Sequence, residues 1–318
     1  MRKVPGVSEE RRTKRVGWLD VAEVGGAFGI RFFVIVCTAL GRAPARMVLR
    51  LVALYYALFH ATARRVSQDW LARIHGSGHV TRRMVYDHLL RFSHVALDRL
   101  FFVRRQMWRF ETRILGEPVF KTIRARKQGV IFLGAHVGSF EAMRVLAELD
   151  DVRVNVVGYF RNALMINSAL QQLDPACSVR MIDVEPGQID FIFAVKDRID
   201  RGEHVAILAD RVAPGRQTIE AEFMGSPARF PSGVYLLAAA LRCPVYLVFG
   251  LYREPNRYDI YCELFAKQVL LPRKARAEAI AGYVSKYAER LEHYSRLAPD
   301  NWFNFYDFWN TSNALDDQ

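Results

Sequence analysis

The sequence predicts an α/β protein with a mostly parallel sheet, helices on both faces of the sheet, and an N-terminal amphipathic helical segment that associates with a membrane. From residue 129 onward, short apolar runs of strand length alternate with stretches of helical periodicity. Residues 1–127 hold 25 Lys and Arg against 9 Asp and Glu, whereas residues 128–318 hold 20 against 24. We therefore divide the chain into a basic helical region, 1–115, and an α/β domain, 116–318.

The N-terminal region has the composition of a segment that lies at a membrane surface. Its apolar stretches, 24–41 and 47–63, contain charge-free runs that are shorter than the roughly 20 residues needed to span a bilayer. Arg31, Arg42, Arg46 and Arg50 lie within or between them, at spacings that a helix could turn toward lipid headgroups. This pattern favours an interfacial or shallowly inserted helix. Two core helices of a soluble domain, or a true spanning helix, are the alternatives.

Composition also excludes some partners. A nucleic-acid surface carries polar and aromatic residues between its cations, whereas here the intervening residues are runs such as 32–36, Phe-Phe-Val-Ile-Val. The four cysteines lie far apart without a C-x-x-C pair, so we expect no disulfide framework and no metal site. Residues 64–115 continue the pattern of a basic amphipathic helix, with Gly76-Ser77-Gly78 as a turn.

The α/β domain contains a regular series of alternating elements. Because its strand-like runs are continuously apolar, they indicate strands of a parallel sheet that is covered on both faces. The strand-like runs cover 129–135, 152–160, 179–184, 204–209, 245–252 and 258–264, and the helix-like stretches cover 140–149, 163–173, 189–201, 234–241 and 275–297.

Ligands of such sheets bind beyond the carboxyl ends of the strands, so the polar residues at those positions are the candidates for a site. His136 follows the first run, and Glu141 lies five residues further on. Arg161 follows the second run, and Asp210 and Arg211 follow the fourth. If these strands are parallel neighbours, a base, two carboxylates and two cations meet at one edge. No glycine-rich nucleotide loop and no Gly-x-Ser-x-Gly elbow occurs.

The segment from His136 to Glu141 can act as a general base. A histidine at a strand end and a glutamate in the next helical turn can face each other, so that the carboxylate fixes one ring nitrogen and the other nitrogen accepts a proton. Ser139 is a good N-cap, and the amides of the turn are suited to a developing negative charge. Spacing alone equally allows a capping histidine and a first-turn glutamate near a helix dipole.

Five short motifs follow one another along the chain: Gly-Ala-His136-Val-Gly-Ser-Phe-Glu141, Tyr159-Phe-Arg161-Asn162, Leu208-Ala-Asp210-Arg211, Phe230-Pro-Ser232-Gly233 and the aromatic stretch 299–309. In this order they resemble the lysophospholipid acyltransferase superfamily, and most closely the late acyltransferases of lipid A biosynthesis. The resemblance covers roughly residues 115–310 and depends on the order and spacing of the motifs together.

The resemblance implies transfer of a fatty acyl chain from a thioester of acyl carrier protein or coenzyme A to a hydroxyl or amine of a lipid or glycolipid. His136 is the implied base, Glu141 its orienting acid, and Arg161 a phosphate-binding residue. No metal or cofactor is implied, and we expect a monomer at the cytoplasmic face of a bacterial inner membrane, peripheral or monotopic. The other expected substrate-binding residues are Ser139, Asp210, Arg211, Ser232 and Gly233.

Some residues depart from the phospholipid branch, which has Asn before the histidine and Asp as the acid. This chain has Ala135 and Glu141 there, and Glu is common in the lipid A branch. Ser232 replaces a glutamate of the phospholipid branch. An acyl thioesterase and a non-catalytic lipid-binding membrane adaptor are the alternative functions. The first would release free fatty acid, and the second would have no use for a base.

Overall fold

The computed structural model describes residues 41–126, 128–142, 153–158, 181–184, 190–212 and 216–309. The apolar stretch before residue 41, the helix predicted over 163–173 and the predicted site residue Arg161 lie outside these ranges. Three helices begin the described part: α1 (Arg42–Phe59), α2 (Ala61–His75) and α3 (Arg82–Val103). Among the helices that the structure describes, none combines the length and apolarity needed to cross a bilayer.

The basic helix predicted to continue to residue 115 is wrong beyond Val103. Arg105 adopts a left-handed backbone conformation with φ 57°, which ends the helical path. The chain then forms strand β1 (Glu111–Leu115) and helix α4 (Glu117–Arg124). The strand was missed because it lies at an edge of the sheet with four of its five residues exposed, so it lacks the apolar pattern of the buried strands.

Besides β1, six strands of the main sheet lie within the described residues: β2 (Ile131–Gly134), β3 (Val154–Gly158), β4 (Met181–Asp183), β5 (His204–Leu208), β8 (Val245–Arg253) and β9 (Arg257–Ala266). These seven strands have the order β1-β9-β8-β2-β5-β3-β4. Strands β8, β2, β5, β3 and β4 are parallel to one another, β9 is antiparallel to β8, and β1 is parallel to β9. The predicted, mostly parallel α/β sheet is therefore confirmed.

Further elements complete the described fold. A two-stranded antiparallel hairpin, β6 (Thr218–Phe223) and β7 (Ser226–Pro231), was not expected from the sequence. A helix begins at Phe140, although the structure describes only its first three residues. The other helices lie close to their expected bounds: α5 (Asp190–Asp200), α6 (Gly233–Leu241) and α7 (Arg276–Leu297).

Alternate side chains of the central strands contribute to two separate hydrophobic cores. In β2, Ile131 and Leu133 belong to one core, whereas Phe132 belongs to the other. The first core contains buried residues of α5, α6 and α7, and the second contains buried residues of α1, the end of α3 and α4. Helices therefore cover both faces of the sheet, as a parallel sheet requires.

The register between β2 and β5 determines where the site forms. These neighbouring parallel strands pair Gly134 with Leu208. Two residues further along each chain come His136 and Asp210. Because both residues lie the same distance beyond a paired position, they emerge side by side at the carboxyl edge of the sheet.

Candidate active site

His136 and Asp210 form the centre of the candidate site. The Nδ1–H of His136 donates to Oδ1 of Asp210 at 2.8 Å, and the backbone N–H of His136 donates to Oδ2 at 2.9 Å. One carboxylate thus holds both the ring and the backbone of the histidine. This contact fulfils the expectation that polar residues at the two strand ends meet.

The Asp210 carboxylate is completely buried, yet it stays ionised because four donors surround it. Besides the two groups of His136, Oδ2 accepts from the Asn304 amide at 2.8 Å and from the Trp302 indole N–H at 3.3 Å. Burial alone would raise the pKa of Asp210, but the neighbouring His136 and Arg211 hold it well below its ordinary range. The site therefore contains a fixed negative charge at neutral pH.

This arrangement fixes the tautomer of His136. A carboxylate can only accept, so the ring proton is on Nδ1 and the lone pair is on Nε2. Burial and the Arg211 cation lower the pKa of His136, while Asp210 acts in the opposite direction. The ring is neutral at pH 7, and 26% of the side chain remains exposed. His136 is thus an accessible, oriented base.

A tight turn connects β2 to the helix that begins at Phe140. Gly138 has φ +68°, and a Cβ there would lie 2.0 Å from the carbonyl oxygen of Gly250, so only glycine fits. Ser139 Oγ accepts from the Ala142 amide at 3.1 Å, which confirms its predicted role as N-cap.

The amides of Gly138 and Ser139 are not available to stabilise an oxyanion, contrary to the expectation for this turn. They donate to the carbonyls of Asn301 and Gly250, at 2.7 and 2.8 Å. These bonds attach the turn to β8 and to the C-terminal segment. The turn therefore has a positioning role in this structure.

Glu141 differs from the expectation in its partner. Its Oε1 accepts from Nε of Arg99, on α3, at 2.8 Å, while the His136 ring donates its Nδ1–H to Asp210. Side chains in the first helical turn project according to the direction of that helix, and here the neighbouring α3 supplies a cation for the carboxylate. Asp210 therefore makes the orienting contact to the His136 ring that was expected of Glu141.

The C-terminal aromatic segment completes the site, and sequence reasoning assigned it no role. Trp302 forms a β-bridge with Val137, and the Phe303 amide donates to the His136 carbonyl at 2.8 Å. Arg211 donates to the Asn304 side chain at 2.7 Å and to the Phe303 carbonyl at 3.2 Å. The two buried asparagines within an aromatic run, Asn301 and Asn304, were the available signal, because a buried amide needs partners.

Helices α2 and α3 support this segment through a buried histidine. His88 Nε2 lies 3.0 Å from the Trp302 carbonyl, and His88 Nδ1 lies 2.8 Å from Ser67 Oγ. Because the carbonyl can only accept, Nε2 carries the proton and Nδ1 accepts from the serine. Burial lowers the pKa of His88 to about 4, so the ring is neutral.

The remaining expected site residues make other contacts or lie outside the described residues. Ser232 is buried, and its Oγ donates to the Gln217 carbonyl at 3.0 Å rather than to the His136 ring. Gly233 begins α6. Arg161 is outside the described residues. Of the predicted substrate-binding residues, the structure thus brings Asp210 and Arg211 together with His136.

Comparison with known proteins gives the family of the chain. No curated protein matches the chain closely enough to serve as a relative. The family model described as "Bacterial lipid A biosynthesis acyltransferase" matches residues 19–311, which include every element and every site residue described above. The chain belongs to the bacterial lipid A biosynthesis acyltransferase family.

Proposed function

We propose that this acyltransferase moves a fatty acyl chain from a thioester of acyl carrier protein or coenzyme A to a hydroxyl or amine of a lipid or glycolipid, with His136 as general base. The single observation that carries the proposal is the His136–Asp210 pair, which leaves a neutral Nε2 at the carboxyl edge of the sheet. Family membership supports the acyl-transfer chemistry, and the pair supplies the group that starts it.

The reaction begins when Nε2 of His136 removes the proton from the acceptor hydroxyl or amine as this group attacks the thioester carbonyl. A new C–O or C–N bond forms, and the carbonyl oxygen becomes an oxyanion. Collapse of this intermediate breaks the C–S bond, and the imidazolium returns its proton to the departing thiolate. The products are an ester or amide and a free thiol, so atoms and charges balance.

Asp210 stabilises the imidazolium that exists between these two proton transfers. Its carboxylate is already ionised and is held by donors from the C-terminal segment, so it does not need to reorganise as the ring becomes charged. Burial lowers the pKa of His136, and the Arg211 cation adds to this effect, so the ring is neutral before the substrate binds. The two residues together give a base that is neutral at rest and stabilised when protonated.

Glu141 takes a different role in this proposal from the one its spacing suggested. Its ion pair with Arg99 joins the first turn after Ser139 to α3, which fixes the helix that follows the base. We assign Glu141 to the positioning of that helix and Asp210 to the orientation of the ring. Arg161, from the second motif, is the proposed group for a substrate phosphate.

The exposed side of α1 supports attachment to a membrane surface. Met47, Leu51 and Phe59 are 66%, 70% and 71% exposed, although they are large and apolar. Exposed apolar patches of this kind mark sites of contact with a partner or a bilayer. A lipid acceptor accounts for this face, and a thioester donor made in the cytoplasm accounts for attachment at the cytoplasmic side of the membrane.

The test is an assay of the full chain with radiolabelled acyl carrier protein thioester or coenzyme A thioester and a bacterial lipid extract, followed by mass spectrometry. We expect a lipid whose mass increases by one acyl group, and we expect H136A to abolish this product while it stays folded. Release of free fatty acid without an acceptor would identify a thioesterase. Unchanged turnover by H136A would overturn the assignment of the base.

A further inference from the structure

A groove of about 950 Å³ lies at the N-terminal end of α1. Its walls come from the first turns of α1, from the turn that contains Trp108 and Arg109, and from Pro255. Pro255 lies between β8 and β9, two residues after the carboxyl end of β8. Because β8 is parallel to β2, the groove and His136 lie at the same edge of the sheet.

Among the described residues that line the groove, four are arginines and none is acidic. Two of its four arginines are already paired with carboxylates, Arg42 with Asp98 and Arg46 with Glu254. The other two, Arg50 and Arg109, have no carboxylate partner in the part of the chain that the structure describes. Arg50 is exposed, and Arg109 donates to the amide oxygen of Gln106. The groove therefore has two cations available for an anion.

An apolar strip extends from the groove along the exposed side of α1. Met47 lines the groove, and the strip continues at helical spacing through Leu51, Leu54 and Leu58. The buried side of the same helix uses smaller residues at two of its three positions, Ala45 and Ala53. The largest apolar side chains of α1 thus face outward, next to the unpaired arginines.

We infer that the groove binds the phosphate-bearing headgroup of an anionic phospholipid while the apolar strip lies among the acyl chains of the same leaflet. Guanidinium groups pair with phosphate oxygens through two parallel hydrogen bonds, which suits Arg50 and Arg109. Trp108, which is 75% exposed and stacks with the Arg109 guanidinium at 4.3 Å, has the amphipathic ring that occurs at the boundary of headgroups and acyl chains.

This inference depends on the proposed membrane attachment and not on the chemistry of acyl transfer. A lipid bound in the groove turns the carboxyl edge of the sheet, with His136, toward the bilayer. An acidic carrier protein would also be attracted to the arginines. A lipid is the better fit because the apolar strip is continuous with the groove. The headgroup of an anionic lipid would bind in the groove, and the acyl chains would contact the strip.

The first experiment measures binding of the full chain to vesicles of phosphatidylcholine, with and without phosphatidylglycerol. A basic residue near an anionic surface contributes about five-fold in affinity, so we expect R50Q/R109Q to weaken binding to the anionic vesicles roughly 25-fold. The control is R273Q/R276Q, which also removes two positive charges. These exposed arginines follow β9, which is antiparallel to β8, so they lie beyond the amino ends of the parallel strands, away from the groove. An equal loss in both variants would show attraction to net charge only and would overturn the headgroup site.

The second experiment separates a lipid site from a protein site. Monomeric short-chain phosphatidylglycerol should shift the emission of Trp108 in a saturable way, measured as the difference between the wild-type protein and W108F, and short-chain phosphatidylcholine should not. No saturable shift would overturn the inference. Binding of soluble acyl carrier protein that R50Q/R109Q abolishes, with unchanged vesicle binding, would assign the groove to the carrier. H136A should bind vesicles normally, so failure of the proposed reaction leaves this test intact.

Discussion

The Asp210 carboxylate holds His136 twice, through the ring Nδ1–H at 2.8 Å and through the backbone N–H at 2.9 Å. The two bonds leave the imidazole little freedom to rotate or to exchange its tautomer. Since Asn304 and Trp302 anchor the same carboxylate, the orientation of the base depends on a segment that is distant in sequence. Asp210 is therefore the residue whose loss should be most costly after His136 itself.

We expect D210N to lower kcat by roughly a thousand-fold or more, as loss of the orienting acid does in catalytic triads. The amide of the substituted side chain has one acceptor oxygen, whereas Asp210 accepts from four donors. In either orientation of the amide, its NH2 group faces at least one of these donors. The comparison is W302F, which removes one donor to Asp210 and leaves both bonds from His136. Circular dichroism shows whether each variant is folded. A rate for D210N within ten-fold of the wild-type rate would contradict the assignment of Asp210.

The ion pair between Arg99 and Glu141 predicts that these two residues act as a unit. E141Q and R99M should each lower kcat by about ten-fold, because each releases the same helical turn from α3. In a double-mutant cycle, E141Q/R99M should then be little worse than either single variant. If Glu141 instead orients the base, E141Q should match D210N and R99M should remain nearly active. Kinetics of the four proteins distinguish the two roles.

The Arg211 cation should set the acid limb of the pH–rate profile. Burial lowers the pKa of His136, and the Arg211 cation lowers it further because it disfavours the protonated ring, so removal of the cation in R211Q should raise that pKa. The base then needs a higher pH to be neutral, and the acid limb of kcat/KM shifts to higher pH. R211K keeps the charge and should leave the limb near its wild-type position. A shift to lower pH in R211Q would contradict the electrostatic role.

The sequence predicted the strands of this site and the polar residues at their ends. It did not predict the residues from other parts of the chain that complete the site. Continuous apolar runs indicate buried parallel strands. Such strands bring His136 and Asp210 to the carboxyl edge of the sheet independently of the conformation of the loops. Trp302 and Asn304 are brought to the site by the tertiary packing of α7 and of the segment that follows it. No periodic pattern in the sequence indicates this packing. The partner of Glu141 was misassigned for the same reason, because the arginine that holds it comes from α3.

Buried neutral histidines should make the fold sensitive to mild acid. Burial lowers the pKa of both His88 and His204 to about 4, below the value of about 6.5 in an unfolded chain. Between these two pH values the unfolded state binds protons that the folded state does not. The contribution of these histidines to the free energy of unfolding is therefore fully present above pH 6.5 and is lost as the pH falls toward 4. The slope is about 1.4 kcal/mol per pH unit for each histidine.

The variant H88Q tests this contribution through chemical unfolding at pH 7 and pH 5. We expect H88Q to be less stable than wild type at pH 7, because the bond to the Trp302 carbonyl is weakened, but to lose less free energy of unfolding on acidification. H75Q, at an exposed histidine, is the matched control and should show the wild-type pH dependence. If H88Q and wild type lose the same free energy between the two pH values, the pKa of His88 is the same in the folded and the unfolded chain, and the folded protein carries a protonated His88 ring at pH 5. In that case Nδ1 carries a proton as well, and Ser67 must accept from it, which reverses the direction of the hydrogen bond that supports the C-terminal segment.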